Sequence, residues 1–289
     1  MATIKGITHA GVFHGDEVMA TAILSLIYGD DFTVERVNRV DPDLSDNTQG
    51  VIIYDIGGGR FDHHQKGGNG ARENDVPYAS AGLIWYAYGH LLVDTDQEFE
   101  SIDKLLIQGI DAIDTGYGKP DGFATVSNII SSYNPNWDED VAADDRFKEA
   151  VEFAKGVLKR YIAEAKSVTA AEDVLVEAME KRTRKEILVL DKFVPWQTHL
   201  FNLQGNEEVL FVIFPSARGG YMIQCVPTTP GGFDQRLPLP ESWRGLPMRD
   251  LVTISGISDI TFVHPAGFCA AAECVESCIQ IAASTIAMA

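Results

Sequence analysis

The chain has 289 residues, of which 45 % are hydrophobic, 9 % aromatic and 22 % charged, a composition that supports one large or two modest globular domains. Lys and Arg number 23 against 42 Asp and Glu, giving a formal net charge of −19, which argues against tight, non-specific binding to long duplex nucleic acid but allows a phosphate substrate at a metal-filled site. No apolar run approaches the roughly 18 residues of a membrane span, and no secretory signal is expected at the N-terminus.

The first half of the sequence alternates strand-like and helix-like segments. Strands are predicted at "IKGIT", "FTVERVNRV" and "GVIIYD"; helices are predicted at "DEVMATAILSLIY", near "SAGLIWYAYGH" and through "FESIDKLLIQGIDAID". The third strand is nearly continuous in β-branched residues, as a buried parallel strand would be. This alternation is typical of an α/β domain with a mainly parallel sheet flanked by helices.

The second half changes character twice. From about Asp138 to Lys181 the sequence is charged and has no proline, which predicts long helices. From Glu186 the short runs "EILVLD", "VLFVIF", "YMIQCVP" and "ITFVH" predict strands, and a last helix is predicted through "AAAECVESCIQIAASTI". We therefore expect a first domain over residues 1–182, which includes the long connecting helices, and a smaller C-terminal α+β domain over residues 183–289.

Ionisable side chains recur where the predicted strands of the first domain end. They are His9, His14, Asp16, Asp55, Asp62, His63 and His64. In open parallel sheets ligands bind beyond the carboxyl ends of the strands, so we expect these side chains to converge. Asp111 and Asp114 share one face of a predicted helix and are further candidates.

A cluster of imidazoles and carboxylates without cysteine suits Mn²⁺, Mg²⁺ or a Zn- or Fe-type ion, and the imidazoles favour Mn²⁺ over Mg²⁺. Five or six such ligands exceed what one ion needs. The expected arrangement is a bridged pair of ions about 3.5–4 Å apart, which binds a phosphoryl group and activates a water for in-line attack.

Several of these residues have simpler explanations when each is considered alone. Asp16 could be the N-cap of the first helix, and Asp55 could form a turn before three glycines. Asp111 and Asp114 could lie on a solvated helix face. The adjacent histidines after Asp62 resist a packing explanation, because neighbouring side chains point in different directions on a strand or a helix.

The segment "FDHHQKG", together with "THAGVFHGDE", "SAGLIW", "IDAIDTG" and "FVHPAGF", resembles the melanocyte-proliferating-gene (Myg) family of the DHH phosphoesterase superfamily over nearly the whole chain. The resemblance implies a metal-dependent phosphodiesterase, a 3′–5′ exonuclease on RNA or short single-stranded oligonucleotides. The ligand types and their number give the expectation that two divalent ions, with Mn²⁺ favoured, activate the attacking water. The superfamily usually begins His-x3-Asp-x-Asp, whereas this chain has His9-x4-His14-x-Asp16 and so loses one negative charge.

The resemblance also implies roles for individual residues. The implied metal ligands are His9, His14, Asp16, Asp55, His63 and Asp114, with Asp111 as the alternative to Asp114. His64 would contact the scissile phosphate or the leaving oxygen, and Asp62 would orient a ligating imidazole.

The C-terminal domain carries candidates for binding substrate phosphate: Arg218, Arg236, His264 and Gly267. A guanidinium binds phosphate oxygens through two N–H groups. A surface ion pair is the alternative for each arginine.

The four cysteines all lie in the last quarter of the chain, which is not a disulfide framework, so a cytoplasmic location is expected. Cys274 and Cys278 are predicted to be small buried thiols rather than a zinc site. Trp137, Trp196 and Trp243 are predicted to anchor inter-domain packing, with base stacking as the alternative.

We expect an RNA or oligonucleotide substrate and no membrane association, with a homodimer as an open alternative. Two other functions stay open at this point. One is a phosphatase or pyrophosphatase acting on a small nucleotide, and the other is a catalytically inactive, metal-binding regulatory protein.

Overall fold

The computed structural model describes residues 3–41, 44, 50–118 and 122–289. The chain divides into two compact units, Met1–Lys166 and Ser167–Ala289. Each unit has an apolar core of its own.

The division falls inside helix α6 (Ala143–Thr169), earlier than the boundary that the sequence predicts between residues 182 and 183. The next helix, α7 (Ala171–Lys181), explains the difference. Its residue Leu175 is buried in the same apolar cluster as Leu188 and Val212, so α7 packs with the second unit.

The described residues of the first unit form a parallel sheet of three strands: β1 (Ile4–His9), β2 (Phe32–Val37) and β3 (Val51–Ile53). Their order is β2-β1-β3. The mixed α/β class with a parallel sheet is therefore as the sequence predicts. Because the strands are parallel, the ends of β1 and β3 meet at the same edge of the sheet.

Helices surround this sheet, and they are α1 (Gly15–Tyr28), α2 (Ser80–Tyr88), α3 (Asp96–Ile102), α4 (Gln108–Asp114), α5 (Val126–Ser131) and α6. A π-helical turn joins α3 to α4, so the predicted single helix through "FESIDKLLIQGIDAID" is interrupted in the middle. The short helix α5 has no strong sequence signal because its six residues make fewer than two turns.

The second unit contains a mixed sheet whose strands have the order β4-β5-β6-β8-β7. The strands are β4 (Ile187–Val189), β5 (Phe211–Pro215), β6 (Tyr221–Cys225), β7 (Ile260–Val263) and β8 (Cys269–Ala272). Only the pair β4-β5 is parallel. The helices of this unit, besides α7, are α8 (Trp196–Leu200), α9 (Met248–Ser255) and α10 (Val275–Met288).

Strand β8 corrects one prediction, because the sequence places its alanines at the start of the last helix. Ala270 instead pairs with Ile223 on one side and with Val263 on the other. Pairing to both neighbouring strands overrides the high helix propensity of alanine.

The three tryptophans that the sequence predicts as packing anchors differ in their burial. Trp196 and Trp243 are buried, whereas Trp137 is 97 % exposed, so the packing prediction is wrong for Trp137. Cys278 is buried as predicted, and the partly exposed Cys274 thiol contacts Asp259 Oδ2 at 3.2 Å. Within the described residues, every helix is too short or too polar to cross a membrane.

We predict that Trp243→Ala lowers the free energy of unfolding of the second unit by about 3–5 kcal/mol, because it empties a fully buried site. The control Trp137→Ala removes a solvated ring and should change stability by less than about 0.5 kcal/mol. Urea titration followed by circular dichroism measures both variants. Equal midpoints for the two variants would contradict the burial difference.

Candidate active site

The predicted cluster forms at the edge of the sheet where β1 and β3 end. His9 is the last residue of β1, and Asp55 follows two residues after β3. Asp55 has a left-handed backbone, with φ of 57°, a conformation that aspartate tolerates better than most residues. Its amide donates to the carbonyl of Phe61 at 3.1 Å, which brings the following aspartate and histidine pair back to the same edge.

Three buried carboxylates lie together at this edge: Asp16 and Glu17 from the first turn of α1, and Asp55. Each offers an oxygen within 4.8 Å of the others. Burial raises the pKa of Asp16 well above its usual range, and the charges of Asp55 and Glu17 raise it further. Among the described residues, Asp16 Oδ1 has no hydrogen-bond partner, so a buried oxygen is left for another ligand.

The imidazole of His9 lies against two of these carboxylates. Its Nε2 is 3.0 Å from Glu17 Oε1 and 3.2 Å from Asp55 Oδ2. The hydrogen bond to Asp55, and then that to Glu17, raises the pKa of His9 to about 10. In the metal-free chain, His9 therefore carries a positive charge that offsets part of the buried negative charge.

His63 joins the opposite side of the cluster to α4. Its Nε2 is 2.9 Å from Asp114 Oδ2, and its Nδ1 is 3.4 Å from Asp55 Oδ1 without a hydrogen bond to any described residue. Burial lowers the pKa of His63, but the bond to Asp114 and the charge of Asp55 outweigh it, and the net shift is upward. Burial acts to raise the pKa of Asp114, and the His63 contact reverses this so that the net shift is downward.

His14 is the N-cap residue of α1, and its amide donates to both carboxylate oxygens of Glu17, at 2.9 and 3.0 Å. Its exposed ring offers a ligand atom within 4.8 Å of ligand atoms of Asp16 and Asp114. The ring offers another such contact to His9 and Glu17. Asp16 is thus the second residue of the helix, and the alternative explanation that it is the N-cap is excluded.

His64 differs from its neighbour because its side chain is 61 % exposed. Its Nδ1 lies 2.8 Å from Asp62 Oδ1, and the two adjacent histidine rings stack with centroids 4.2 Å apart. Burial acts to raise the pKa of Asp62, but the amides of Gly58 and His64 donate to its carboxylate and make the net shift downward. Asp62 therefore accepts a hydrogen bond from His64 Nδ1 as an ionised carboxylate, and this bond holds the ring in place.

These donors fit divalent ions with nitrogen and oxygen ligands. Four groups of side chains offer ligand atoms within 4.8 Å of one another, and His14, Asp16, Glu17 and Asp55 each belong to two groups. The donors therefore form one continuous cluster that is larger than a single coordination shell. Asp16 Oδ1 and His63 Nδ1 are the buried atoms that such ions would satisfy.

The structure separates the two acidic candidates on α4. Asp114 contacts His63, but Asp111 belongs to none of the ligand groups of the described residues. Asp111 instead accepts from the Gly82 amide at 2.9 Å and lies 2.8 Å from Arg72 Nη1, in an ion contact that is not aligned as a hydrogen bond. Burial raises the pKa of Asp111 to about 7 although Arg72 opposes the shift. These contacts join Asp111 on α4 to α2 and to Arg72.

Two residues of the cluster were missed from sequence. Glu17 follows Asp16 directly and stands three residues after the N-cap, where a capping-box acid is expected, and this signal was available. Ser80 begins α2; its amide donates to Asp16 Oδ2 at 3.2 Å, and its hydroxyl donates to Asp55 Oδ1 at 3.0 Å. No local pattern indicates that role for Ser80.

A cavity of about 470 Å³ opens beside the cluster. His14, His63, His64 and Asp114 line one part of it, and the hydroxyl residues of α5 and the end of α4 line another. The volume falls in the range of small-ligand sites, roughly 300–1,000 Å³.

In the second unit, two of the predicted phosphate-binding residues have structural contacts. Arg236 donates to the carbonyls of Asn206 and Val209, the latter at 2.9 Å, and to the Asn206 side chain. Gly267 has φ of 75°, and a Cβ there would lie 2.4 Å from Arg244 Nε. The glycine therefore makes room for Arg244, whose Nε and Nη2 donate to the Leu239 carbonyl.

The other two predicted residues have free polar atoms. Arg218 is exposed and its side chain has no partner among the described residues. His264 accepts the Ala266 amide at its Nδ1, at 3.0 Å, so Nε2 is the ring nitrogen left for another contact.

The fold and the site together define an α/β protein with a candidate metal centre of carboxylates and imidazoles. The model of the MYG1_exonuc family, described as Uncharacterised protein family (UPF0160), matches residues 5–286. The chain belongs to this family.

Relatives are found in eukaryotes and bacteria. The MYG1 exonuclease of Homo sapiens is 33 % identical over 327 residues, covering 97 % of this chain and 85 % of that protein. The MYG1 protein of Chlamydia muridarum is 32 % identical over 279 residues, covering 94 % of this chain and 92 % of that protein. The MYG1 protein of Dictyostelium discoideum is 29 % identical over 320 residues, covering 99 % of this chain and 97 % of that protein.

Among solved structures, the pGpG-specific phosphodiesterase PggH of Vibrio cholerae aligns with 11 % identity and a TM-score of 0.28, over 100 % of this chain and 98 % of that chain. A TM-score this low supports no statement about fold or activity.

We predict that Asp16→Asn stabilises the metal-free protein by about 0.5–2 kcal/mol, the usual size of such gains at functional sites. The folded state raises the pKa of Asp16, so its charged form costs stability above the pKa of the unfolded chain, and the amide removes that cost while keeping an oxygen for the Ser80 amide. Thermal unfolding in a chelator measures the change.

The exposed Asp30→Asn is the control and should leave the melting temperature unchanged. Adding Mn²⁺ should raise the melting temperature of the wild type and of the control but not of Asp16→Asn. A metal-free Asp16→Asn protein that melts below the wild type would contradict carboxylate repulsion at this site.

Proposed function

We propose that the chain is a metal-dependent phosphodiesterase of the DHH phosphoesterase superfamily, acting as a 3′–5′ exonuclease on RNA or short single-stranded oligonucleotides. The observation that carries the proposal is the set of three buried carboxylates, Asp16, Glu17 and Asp55, next to an open cavity. The exonuclease name of the human relative supports a nucleic acid substrate.

The cluster would hold two divalent ions, with Mn²⁺ favoured by the imidazole ligands. The residues that would hold them are His9, His14, Asp16, Glu17, Asp55, His63 and Asp114. When bound, the ions supply positive charge to a phosphoryl group and lower the pKa of water. The Ser80 amide and hydroxyl keep the Asp16 and Asp55 carboxylates turned toward the cluster.

His64 lies where a substrate would enter, because it lines the cavity and most of its side chain is exposed. Asp62 binds Nδ1, so Nε2 is the nitrogen that can donate a hydrogen bond to the scissile phosphate or the leaving oxygen. Asp62 acts through His64 and is a positioning residue.

The second unit is proposed to bind substrate. Arg218 and His264 keep the phosphate-binding role assigned from sequence, because each has a polar group without a protein partner among the described residues. We do not propose phosphate binding for Arg236 and Gly267. Arg236 donates to the Val209 carbonyl, and Gly267 packs against Arg244.

We predict that the wild type releases mononucleotides from the 3′ end of single-stranded RNA when Mn²⁺ is present, and that His63→Ala loses nearly all cleavage and at least one bound ion. The imidazole supplies an otherwise unpartnered nitrogen between Asp55 and Asp114. A 5′-labelled RNA resolved on a denaturing gel gives the direction, and elemental analysis counts the metal.

His90→Ala is the matched control, since this exposed histidine lies outside the ligand groups of the described residues. A small phosphomonoester and pyrophosphate are assayed in parallel. Phosphate release from these compounds without RNA cleavage would replace the exonuclease by a small-nucleotide phosphatase. Metal binding without any cleavage would indicate an inactive, metal-binding regulatory protein.

We also predict opposite consequences for the two acids of α4. Asp114→Asn should weaken Mn²⁺ binding at least about tenfold, the size of effect seen around metal centres. Asp111→Asn should keep the wild-type Mn²⁺ affinity, because Asp111 contacts Arg72 and the Gly82 amide and belongs to none of the ligand groups of the described residues. Calorimetric metal titration and thermal unfolding of both variants test this. Loss of metal by Asp111→Asn with unchanged melting would reverse the assignment.

A further inference from the structure

The second unit contains a short cationic segment in an otherwise acidic chain. Nine Lys and Arg residues lie between Ser167 and Ala289, and five of them fall between residues 181 and 192. These five are Lys181, Arg182, Arg184, Lys185 and Lys192. A local reversal of sign in a chain with a net charge of −19 attracts anions to one place.

This segment borders a groove of about 440 Å³. Apolar side chains of α7, β4 and α10 form part of the lining, including Ala178, Ile187 and Ile279. Four cationic side chains and only two acidic ones, Glu177 and Asp191, are among the residues that line it. The groove therefore combines apolar surface with a net positive charge.

The five cations are not equally available. Lys181 pairs with Glu177 one helical turn away, and Arg182 and Lys185 share Glu208 at 3.5 and 3.1 Å. The exposed side chains of Arg184 and Lys192 form no ion pair or hydrogen bond with any described residue. Two unpaired cations on one groove are donors for an anionic ligand.

The shape and chemistry favour a nucleotide unit over a simple anion. A simple anion would use the cations but not the apolar lining, whereas a nucleotide places phosphate on the former and its sugar or base on the latter. Phe193, the residue after Lys192, is 61 % exposed, and its ring packs edge-to-face with Phe214 at a centroid distance of 5.0 Å. Base stacking on an exposed aromatic ring contributes about 1–3 kcal/mol per base.

We infer that this groove binds the sugar-phosphate backbone of a single-stranded nucleic acid through Arg184 and Lys192. The inference rests on the proposed nuclease function. It adds to the candidate active site a second region that contacts the nucleic acid strand. The buried acidic cluster of the first unit repels a polyanion before ions bind, so attraction must come from cations elsewhere in the chain.

The test measures the binding of a short, fluorescently labelled single-stranded RNA by anisotropy, with a chelator present so that no cleavage occurs. The double variant Arg184→Gln/Lys192→Gln is compared with the wild type over a series of KCl concentrations. Loss of two phosphate contacts should reduce the slope of log K against log [KCl] by about 1.4 and weaken binding at low salt. Thermal unfolding verifies that the exposed substitutions leave the fold intact.

Arg249→Gln is the matched control, because Arg249 is another exposed cation of the same unit without a side-chain partner among the described residues. It should keep the wild-type affinity and slope. Equal slopes for the double variant and the wild type would overturn the groove assignment. The proposed function would still hold if the wild type cleaves RNA. Tighter binding of polyglutamate than of RNA of equal charge would also overturn the inference. The ligand of the groove would then be an acidic protein and not a nucleic acid.

A wild type that neither binds nor cleaves RNA would remove the proposed function itself. RNA cleavage together with wild-type binding by the double variant would remove only the groove. The two failures are therefore distinguishable in one set of measurements.

Discussion

The crowding of three buried carboxylates at one edge of a parallel sheet is the constraint on which the candidate site depends. A buried carboxylate is costly without a partner, and carboxylates beside one another raise each other's pKa. The apolar packing of α1 and the ends of two parallel strands hold Asp16, Glu17 and Asp55 together in spite of this repulsion. The protonated His9 offsets only part of the charge. The negative charge that is left makes the cluster a candidate cation site.

Helix α2 gives the cluster its geometry. Its first residue, Ser80, donates from both amide and hydroxyl to two of the carboxylates, and the amide of Gly82 donates to Asp111. A Cβ at Gly82 would lie 1.9 Å from Asp111 Oδ2, so only glycine allows α2 and α4 this close approach. Arg72 then ties Asp111 to Asp103, which fixes the helix that also carries Asp114. The two ion contacts of Arg72 thus position one side of the site.

Much of the fold could be predicted because it follows from local patterns. Alternating strand and helix signals gave the α/β class, and the parallel sheet follows from that alternation. Other features could not be predicted, among them the strand at Cys269–Ala272, the division within Ala143–Thr169 and the exposure of Trp137. Each depends on which distant surface a segment packs against, and alanine or tryptophan in a sequence does not specify its neighbours.

The sequence by itself determined that imidazoles and carboxylates follow several strand ends, and parallel strands bring such residues to one edge, so most of the cluster could be named in advance. Only the tertiary structure distinguishes the surroundings of Asp111 from those of Asp114, since both have helical spacing and the partners Arg72 and His63 come from distant parts of the chain. It also shows that the Arg236 guanidinium donates to a backbone carbonyl, a contact that no local sequence pattern indicates. A residue's type sets what it can bind, but the neighbours that the fold supplies decide what it does bind.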